Sequence, residues 1–223
     1  MIFLNRKLRA SSKDQGFILS KSLENGIFGD SITKRTTMPV QLEQRLINVE
    51  EYFKMAEAGI LSRDDRVELI RGQINQMSPI GSKHAACVDK INSFFHQLIA
   101  PEIAIIRVQN PVQLGSYSEP EPDVAVLKPT PDFYADSHPK AKDILLLIEV
   151  SDTSYDYDKE IKRSLYAQAG VPEYWIINLE KREVEAYCSP VDNDYIKMER
   201  FLPGSEAFFL GLNLKFPVNE VLL

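Results

Sequence analysis

The spacing of apolar residues predicts three helices in this 223-residue chain. Apolar positions recur every three or four residues, the period of a helix with one buried face, in segment 48–59, in a segment that opens at Ser82 and is ended by Pro101, and in segment 158–169. The first segment opens on Asn48, three residues before Glu51, which is the spacing of a helix-capping pair.

Shorter apolar runs predict strands. RVELIRGQINQMS predicts a hairpin that turns at Arg71-Gly72, and EYWIINLEKREVEAY one that turns at Glu180-Lys181. Further strands are predicted from IAIIRVQ, PVQLG, DVAVL and ILLLIEV, and in the tail after Asp194. ILLLIEV is apolar at consecutive positions, as in a central strand covered on both faces. The order predicts an α/β (α+β) fold: a mixed central sheet flanked by helices, with extra β-hairpins at both ends.

The first forty residues differ from the rest, because their apolar residues are scattered and follow no sustained period. We predict that residues 1–40 are a flexible tail or an upstream extension before Met38, and that residues 41–223 form a single domain. The extension lacks the continuous apolar core of a signal peptide. The longest apolar run is far shorter than the roughly 18–20 residues that a bilayer span needs, so no membrane segment is expected.

Composition narrows the function classes only slightly. The net charge of −6, from 32 acidic and 26 basic residues, argues against a protein that coats nucleic acid, which would be basic. An enzyme whose acidic residues hold a divalent cation is compatible with this charge. The two cysteines provide no disulfide or metal framework, so a reducing cytoplasm and two buried thiols are expected.

Three acidic residues stand within or beside predicted strands. Glu149 interrupts ILLLIEV, where an ionised carboxylate is costly unless it is paired or bound to a cation. Asp123 follows Pro122 at the start of another strand, and Glu68 sits inside an alternating strand. Converging carboxylates would suit a hard cation, Mg²⁺ or Mn²⁺. Salt bridging is the alternative, with Glu149 paired to a lysine and Asp123 in a turn. The sequence pattern leaves both explanations open, the metal site and the salt bridges.

The third helix carries groups that could act beside these acids. Asp158, Lys162 and Tyr166 recur four residues apart, so they share one helix face. A metal site that activates water needs a positive or proton-handling group nearby, and this face supplies candidates. An exposed ion pair between Asp158 and Lys162, with Tyr166 packed in the core, is the alternative explanation of the same pattern.

Several motifs resemble a known family. Pro122-Asp123, a strand, and then Glu149 resemble the PD-(D/E)XK signature of restriction-endonuclease-like nucleases. The blocks VELIRGQINQMSPIGSKH, PDVAVL, IEVSDTS and YDKEIKRSLYAQAGVPEYWII are similar to those of the Uma-type endonucleases over about residues 45–190. The resemblance implies the restriction-endonuclease-like fold and Mg²⁺-assisted (or Mn²⁺-assisted) hydrolysis of DNA phosphodiester bonds.

The resemblance also implies roles for individual residues. Asp123 and Glu149 correspond to metal ligands, and Glu68 to a third acidic ligand. The superfamily's lysine would stand two residues after Glu149, where this chain has Ser151. In this branch the lysine comes from the following helix, which points to Lys162 as the catalytic cation.

Other residues are expected to support this set. His84, in the first turn of the long helix where the family has a histidine, is expected to contact phosphate or to hold a ligand in place. A purely local hydrogen-bonding role is the alternative for His84. Asp158 and Tyr166 are expected behind the ligands, and Lys159 is an alternative to Lys162 as the lysine.

Other functional classes remain open at this stage. Ser151 and the acidic balance also fit a catalytically incomplete module that dimerises or binds nucleic acid. An RNA-directed hydrolase of similar architecture is a third possibility. The resemblance favours a homodimer, because cutting two strands suits two-fold symmetry. The apolar C-terminal stretch EAFFLGLNLKFPVNEVLL would either form the dimer interface or cover the sheet.

Overall fold

The computed structural model describes residues 43–62 and 64–223, of which residues 44–223 form one compact unit. The prediction for residues 1–40 lies outside the described residues. The helices are α1 (Val49–Glu57), α2 (Ser82–Leu98), α3 (Tyr155–Tyr157) and α4 (Arg163–Gln168), with a π-helical turn (Asp158–Lys162) between the last two. The strands are β1 (Val67–Ile70), β2 (Gln73–Gln76), β3 (Ile105–Val108), β4 (Val124–Leu127), β5 (Ile144–Ser151), β6 (Glu173–Asn178), β7 (Glu183–Val191), β8 (Asp194–Phe201), β9 (Glu206–Phe209) and β10 (Leu214–Pro217).

A six-stranded mixed sheet organises this unit, in the order β3-β4-β5-β6-β7-β8. All neighbours are antiparallel except β5 and β6, which run parallel and are joined by the segment that contains the π-helical turn and α4. The hairpins β1-β2 and β9-β10 lie outside this sheet. The predicted fold class is therefore confirmed: a mixed sheet flanked by helices, with extra hairpins near both ends of the described chain.

The two sheet faces are buried by different elements. On one face α2 packs with the C-terminal residues, and Phe95, Trp175 and Phe216 belong to one buried cluster. On the other face α4 packs against the sheet, where the rings of Tyr166 and Tyr174 meet edge to face. The C-terminal stretch covers the sheet, since its large apolar residues Phe209, Phe216, Val218, Val221 and Leu222 are buried in the first cluster.

Local sequence signals account for most element boundaries. Asn48 caps α1 in a reciprocal capping box with Glu51, as predicted. The predicted hairpin turn at Arg71-Gly72 is confirmed, and both residues have positive φ. The third helix begins earlier than predicted, at Tyr155, and its middle part, Asp158–Lys162, is wound as a π-helix. Among the described residues no helix is long and apolar enough to cross a membrane.

One strand prediction is wrong. PVQLG, residues 111–115, forms no regular strand, and only Gln113 makes an isolated bridge, to Lys140. Pro111 and Pro120, on facing parts of this loop, lack the N–H donors that a continuous ladder needs.

Candidate active site

A cleft of about 570 Å³ lies among the hairpin β1-β2, the start of α2, the entry to β4 and the exit from β5. Six residues singled out from the sequence line it: Glu68, His84, Asp123, Glu149, Asp158 and Lys162. These residues come from five separate parts of the chain, so the fold gathers them. Tyr166 lies directly behind the cleft wall and is fully buried.

Strand register sets the two central carboxylates side by side. Val124 of β4 pairs with Ile148 of β5, so the next step along this antiparallel ladder places Asp123 opposite Glu149. Residues directly opposite each other in a sheet project to the same face, with Cβ atoms about 5 Å apart. The backbone N–H of Val150 donates to Asp123 Oδ2 over 2.9 Å, which fixes the Asp123 carboxylate against β5.

Asp123 has two further polar neighbours at the cleft. His84 Nε2 lies 3.0 Å from Asp123 Oδ2, and this hydrogen bond raises the pKa of the His84 imidazole despite its partial burial. Gln109 Nε2 donates to Asp123 Oδ1 over 3.3 Å. The other ring nitrogen of His84, Nδ1, is buried without a partner among the described residues. Asp123 is thus held by one backbone and two side-chain contacts at the cleft wall.

Glu149 is anchored through one of its two oxygens. Lys162 Nζ donates to Glu149 Oε1 over 3.0 Å, and the Tyr166 hydroxyl donates to the same oxygen over 2.6 Å. Burial raises the pKa of Glu149 well above its usual range, and the nearby Lys162 ammonium opposes this shift. Glu149 Oε2 makes no hydrogen bond to any described residue, and the side chain lines the cleft. One carboxylate oxygen therefore remains available on the cleft side.

Lys162 is a buried cation between two carboxylates. Its Nζ lies 3.0 Å from Glu149 and 3.4 Å from Glu68 Oε2. Burial lowers the pKa of Lys162, but the charges of Glu149, Glu68 and Asp158, with the hydrogen bond to Glu149, together raise it well above its usual range. The lysine is therefore charged at neutral pH, and both acids hold it at the cleft.

Glu68 is occupied by protein donors. The Tyr157 hydroxyl donates to Glu68 Oε1 over 3.1 Å, and the backbone N–H of Glu121 donates to Glu68 Oε2 over 3.2 Å. Lys162 approaches the second oxygen as well. Glu68 thus ties the hairpin β1-β2 to the π-helical turn and to the loop before β4.

The position of the superfamily's lysine is filled by a buried hydroxyl. Ser151 is fully buried, and its Oγ donates to Asp158 Oδ2 over 2.7 Å. Ser154 donates to the same oxygen over 2.7 Å. Burial raises the pKa of Asp158, with Lys162 and the two hydroxyls opposing the shift. Asp158 therefore joins the exit of β5 to the π-helical turn.

Lys159, the alternative lysine, lies elsewhere. Its ammonium bonds the Tyr155 hydroxyl and lies 3.3 Å from Glu185, a buried residue of β7. It does not line the cleft. Lys162 is therefore the one of these two lysines that reaches the carboxylates of Glu68 in β1 and Glu149 in β5.

Comparison with known proteins places the chain in a family. The model of the Uma2 family, described as "Putative restriction endonuclease", matches residues 49–217. The chain belongs to the Uma2 family. A solved structure from Anabaena variabilis ATCC 29413, described as a putative nuclease belonging to DUF820, is similar in fold, with a TM-score of 0.62 and 18% sequence identity. The match covers 78% of this chain and 97% of that one. No curated protein matches the chain.

Sequence reasoning about this Uma2 chain missed several residues of the cleft. Gln109 has a φ of 50°, a left-handed conformation that is uncommon for residues other than glycine, and its amide contacts Asp123. The Asn-Pro pair that follows it signals a turn, but does not indicate which way the side chain points. Tyr157 stands inside the motif block YDKEIK, so the block contained a signal for it. Arg66 and Glu121 also line the cleft.

The residues of the cleft fit a divalent cation that needs only one or two protein carboxylates as ligands. Within residues 43–62 and 64–223, no three His, Cys, Asp or Glu side chains are grouped so that they could hold a metal ion. Mg²⁺ commonly uses only one or two carboxylates, with water and phosphate oxygens completing its shell. Asp123 and the free Oε2 of Glu149 supply such a pair in this Uma2 cleft.

Proposed function

We propose that this protein is a Mg²⁺-dependent endonuclease that hydrolyses DNA phosphodiester bonds. The observation that supports the proposal most is the arrangement around Glu149. Asp123, immediately before β4, lies beside it and accepts from Val150 of β5, and Lys162 Nζ is 3.0 Å from one Glu149 oxygen. Paired carboxylates with one buried ammonium suit phosphoryl chemistry, in which negative charge develops on oxygen. Membership of the Uma2 family supports the same function.

In this proposal Asp123 and Glu149 hold the divalent cation, Mg²⁺ or Mn²⁺. Bound there, the cation supplies a Lewis acid for the scissile phosphate and lowers the pKa of a coordinated water. The contact from Val150 fixes the orientation of Asp123, and Tyr166 with Lys162 fixes that of Glu149. Both carboxylates are therefore positioned before the metal arrives, which lowers the entropy lost on binding.

Lys162 is the proposed catalytic cation. From the cleft wall its ammonium orients the attacking water or stabilises charge on the phosphoryl oxygens. Glu68 is proposed chiefly as the anchor of Lys162, because protein donors occupy both of its oxygens. A direct contact between Glu68 and the metal stays a prediction. His84, with its raised pKa, is proposed to hold Asp123 and to face the phosphate.

Partners and location are also proposed. A divalent cation held by Asp123 and Glu149 would compensate the acidic residues of the cleft, so that a chain with a net charge of −6 could bind the anionic DNA backbone. We propose a homodimer, because cutting both strands of a duplex suits two active sites related by a two-fold axis. A reducing cytoplasm is the proposed location, on the basis of the two buried free cysteines.

Conversion of supercoiled plasmid to nicked and linear forms tests the proposal. Asp123→Asn and Glu149→Gln should lose Mg²⁺-dependent cleavage by a factor of about 100 or more, since each removes a ligand charge while nearly preserving shape. Glu102→Gln, an exposed carboxylate outside the cleft, is the matched control and should cleave like the wild type. Thermal melting checks that each variant is folded. Equal cleavage by all three variants and the wild type would refute the assignment.

Two observations favour a second candidate, a catalytically incomplete nucleic-acid-binding module. Ser151 replaces the superfamily's lysine, and the Lys162 charge is already offset by two carboxylates. Calorimetric titration with Mn²⁺ separates the candidates, because the incomplete module should show no binding that depends on Asp123.

Parallel assays with single-stranded RNA determine whether the substrate is RNA instead of DNA.

A further inference from the structure

Strand β8 forms one edge of the six-stranded sheet. Among the described residues no strand pairs with its outer side. An edge strand presents unpaired N–H and C=O groups, so a long exposed one is a template for pairing with another chain. β8 is 8 residues long, and its apolar residues Ile196 and Met198 are 69% and 46% exposed. This edge has both the backbone groups and the apolar side chains of an interaction surface.

We infer that β8 pairs antiparallel with β8 of a second copy of this chain, around a two-fold axis at Met198. In an antiparallel pair, the β8 residues whose backbone N–H and C=O groups point away from β7 must lie opposite residues of the same kind on the partner strand. Because such residues alternate along the strand, the two-fold axis can lie only where a residue faces its own copy, and never midway between two successive residues. The number of possible registers is therefore small, and each can be judged by the side chains that it brings together.

Charge selects the register centred on Met198. There Lys197 lies opposite Glu199 of the partner subunit, and the symmetry repeats this favourable pair. Centring the axis on Lys197, Glu199 or Arg200 would instead place each of these charges opposite its own copy. Like charges directly opposite one another are destabilising, so those registers are disfavoured. Among the registers centred on a residue of β8, the one at Met198 alone pairs opposite charges within the strand without placing any charge opposite its own copy.

The apolar residues agree with the same register. Met198 meets its own copy at the axis, and Ile196 lies opposite Arg200, whose guanidinium is drawn towards Glu185 at 3.1 Å. Ile196 of each subunit is also a diagonal neighbour of Met198 of the other. Pairing therefore covers the most exposed apolar side chains of β8. A second copy suits this surface because the pattern complements itself.

This surface is separate from the cleft. The cleft is lined by none of the four central residues of β8, Ile196, Lys197, Met198 and Glu199. The inference therefore does not depend on the proposed nuclease activity. Pairing at β8 would join the two six-stranded sheets into one continuous sheet.

Charge reversal tests the interface in the full chain. Sedimentation velocity should show a dimer for the wild type, monomers for Lys197→Glu and for Glu199→Lys at the same concentration, and a dimer again for the double variant. Far-UV circular dichroism checks that the single variants remain folded. A monomeric wild type, single variants that dimerise like the wild type, or a double variant that stays monomeric would each overturn the inference.

Cysteine cross-linking tests the register itself. Met198→Cys should form an intersubunit disulfide under mild oxidation, because the two copies of this residue face each other at the axis. Ile196→Cys is the matched control. Its two copies would be offset by four residues, roughly 13 Å along the strands, beyond the reach of a disulfide. Native Cys87 and Cys188 are buried and should not interfere. Equal cross-linking of the two variants, or none of Met198→Cys, would contradict this register.

Discussion

At the scale of single residues, the site depends on how a lysine is kept charged inside the protein. Lys162 is only 5% exposed, and the desolvation of a buried ammonium would ordinarily favour its neutral form. The carboxylates of Glu149 at 3.0 Å and Glu68 at 3.4 Å, together with the charge of Asp158, reverse that preference. The same contacts orient Glu149, so the charge of the lysine and the geometry of the proposed ligand depend on each other.

Replacing this lysine tests its proposed role in the chemistry, with thermal melting to check that the variant is folded. Lys162→Met should lower DNA cleavage by about 100-fold or more, because the charge that stabilises developing oxyanions is lost. Lys159→Met, three residues earlier and outside the cleft, should retain cleavage within about threefold of the wild type. Plasmid nicking under identical Mg²⁺ concentrations measures both. Full activity of Lys162→Met would remove this residue from the proposed mechanism.

A second residue-scale prediction concerns pH and stability. Burial, aided by the charge of Glu121, raises the pKa of Glu119 to about 7. Glu119 Oε2 is buried without a partner among the described residues, and His138 lies 3.7 Å from Oε1. Because the folded state holds this proton more tightly than the unfolded state, the stabilisation is complete below about pH 4.5 and is lost as pH rises through about 7.

The variant Glu119→Gln should remove this dependence. Between about pH 4.5 and 7, the free energy of unfolding of the wild type should fall relative to the variant by up to about 3 kcal/mol. Urea denaturation at several pH values measures the difference. Parallel stability curves for the two proteins would show that Glu119 titrates normally in the folded state.

At the scale of elements, the hairpin β1-β2 delivers Glu68 to the cleft and depends on its turn. Gly72 has a φ of +77°, and a Cβ added there would lie 2.7 Å from the Leu46 Cβ. Gly59 has a similar φ of +72°, but a Cβ there would meet nothing within 4 Å. Comparing substitutions at these two glycines therefore distinguishes the effect of backbone strain from that of a steric clash.

Substituting each glycine by alanine tests this difference. Gly59→Ala should cost about 1–2 kcal/mol of unfolding free energy, the usual strain of a left-handed alanine. Gly72→Ala should cost more, because the clash adds to the strain, and it should also lower cleavage by displacing Glu68. Urea denaturation and plasmid nicking measure the two effects. Equal losses of stability in both variants would contradict the proposed clash.

At the scale of elements, some features of the fold could be predicted from the sequence and others could not. The helices, the two predicted hairpin turns and the mixed sheet follow from periodicity and turn residues, which are local signals. The strand predicted at PVQLG was wrong because the alternation of apolar and polar residues resembles a strand, whereas the flanking prolines prevent a hydrogen-bonded ladder. The π-helical turn at Asp158–Lys162 and the left-handed Gln109 depend on tertiary contacts with β5 and Asp123, for which short-range patterns contain no signal.

The grouping of site residues was partly accessible from sequence. Asp123 and Glu149 stood out because charge interrupts or precedes buried strands, and the family resemblance linked them to Lys162. Their side-by-side placement required the pairing of β4 with β5, which sequence periodicity alone does not specify. The anchoring of Glu68 by Tyr157 similarly joins residues 89 positions apart.

At the scale of the whole molecule, the proposed function requires a chain with a net charge of −6 to approach an anionic polymer. The cleft itself is rich in acidic residues, and Lys162, Arg66 and His84 are its basic side chains among the described residues. A divalent cation at Asp123 and Glu149 would reduce this repulsion where the backbone has to bind. The proposed function therefore depends on whether these two carboxylates bind a cation.

Anomalous diffraction from crystals soaked in Mn²⁺ tests this claim most directly. The proposal predicts one strong peak in the cleft beside the Asp123 and Glu149 carboxylates, and its absence in crystals of Asp123→Asn. A wild-type map with no peak at these two side chains, and with Lys162 alone compensating Glu149, would contradict the proposed metal centre.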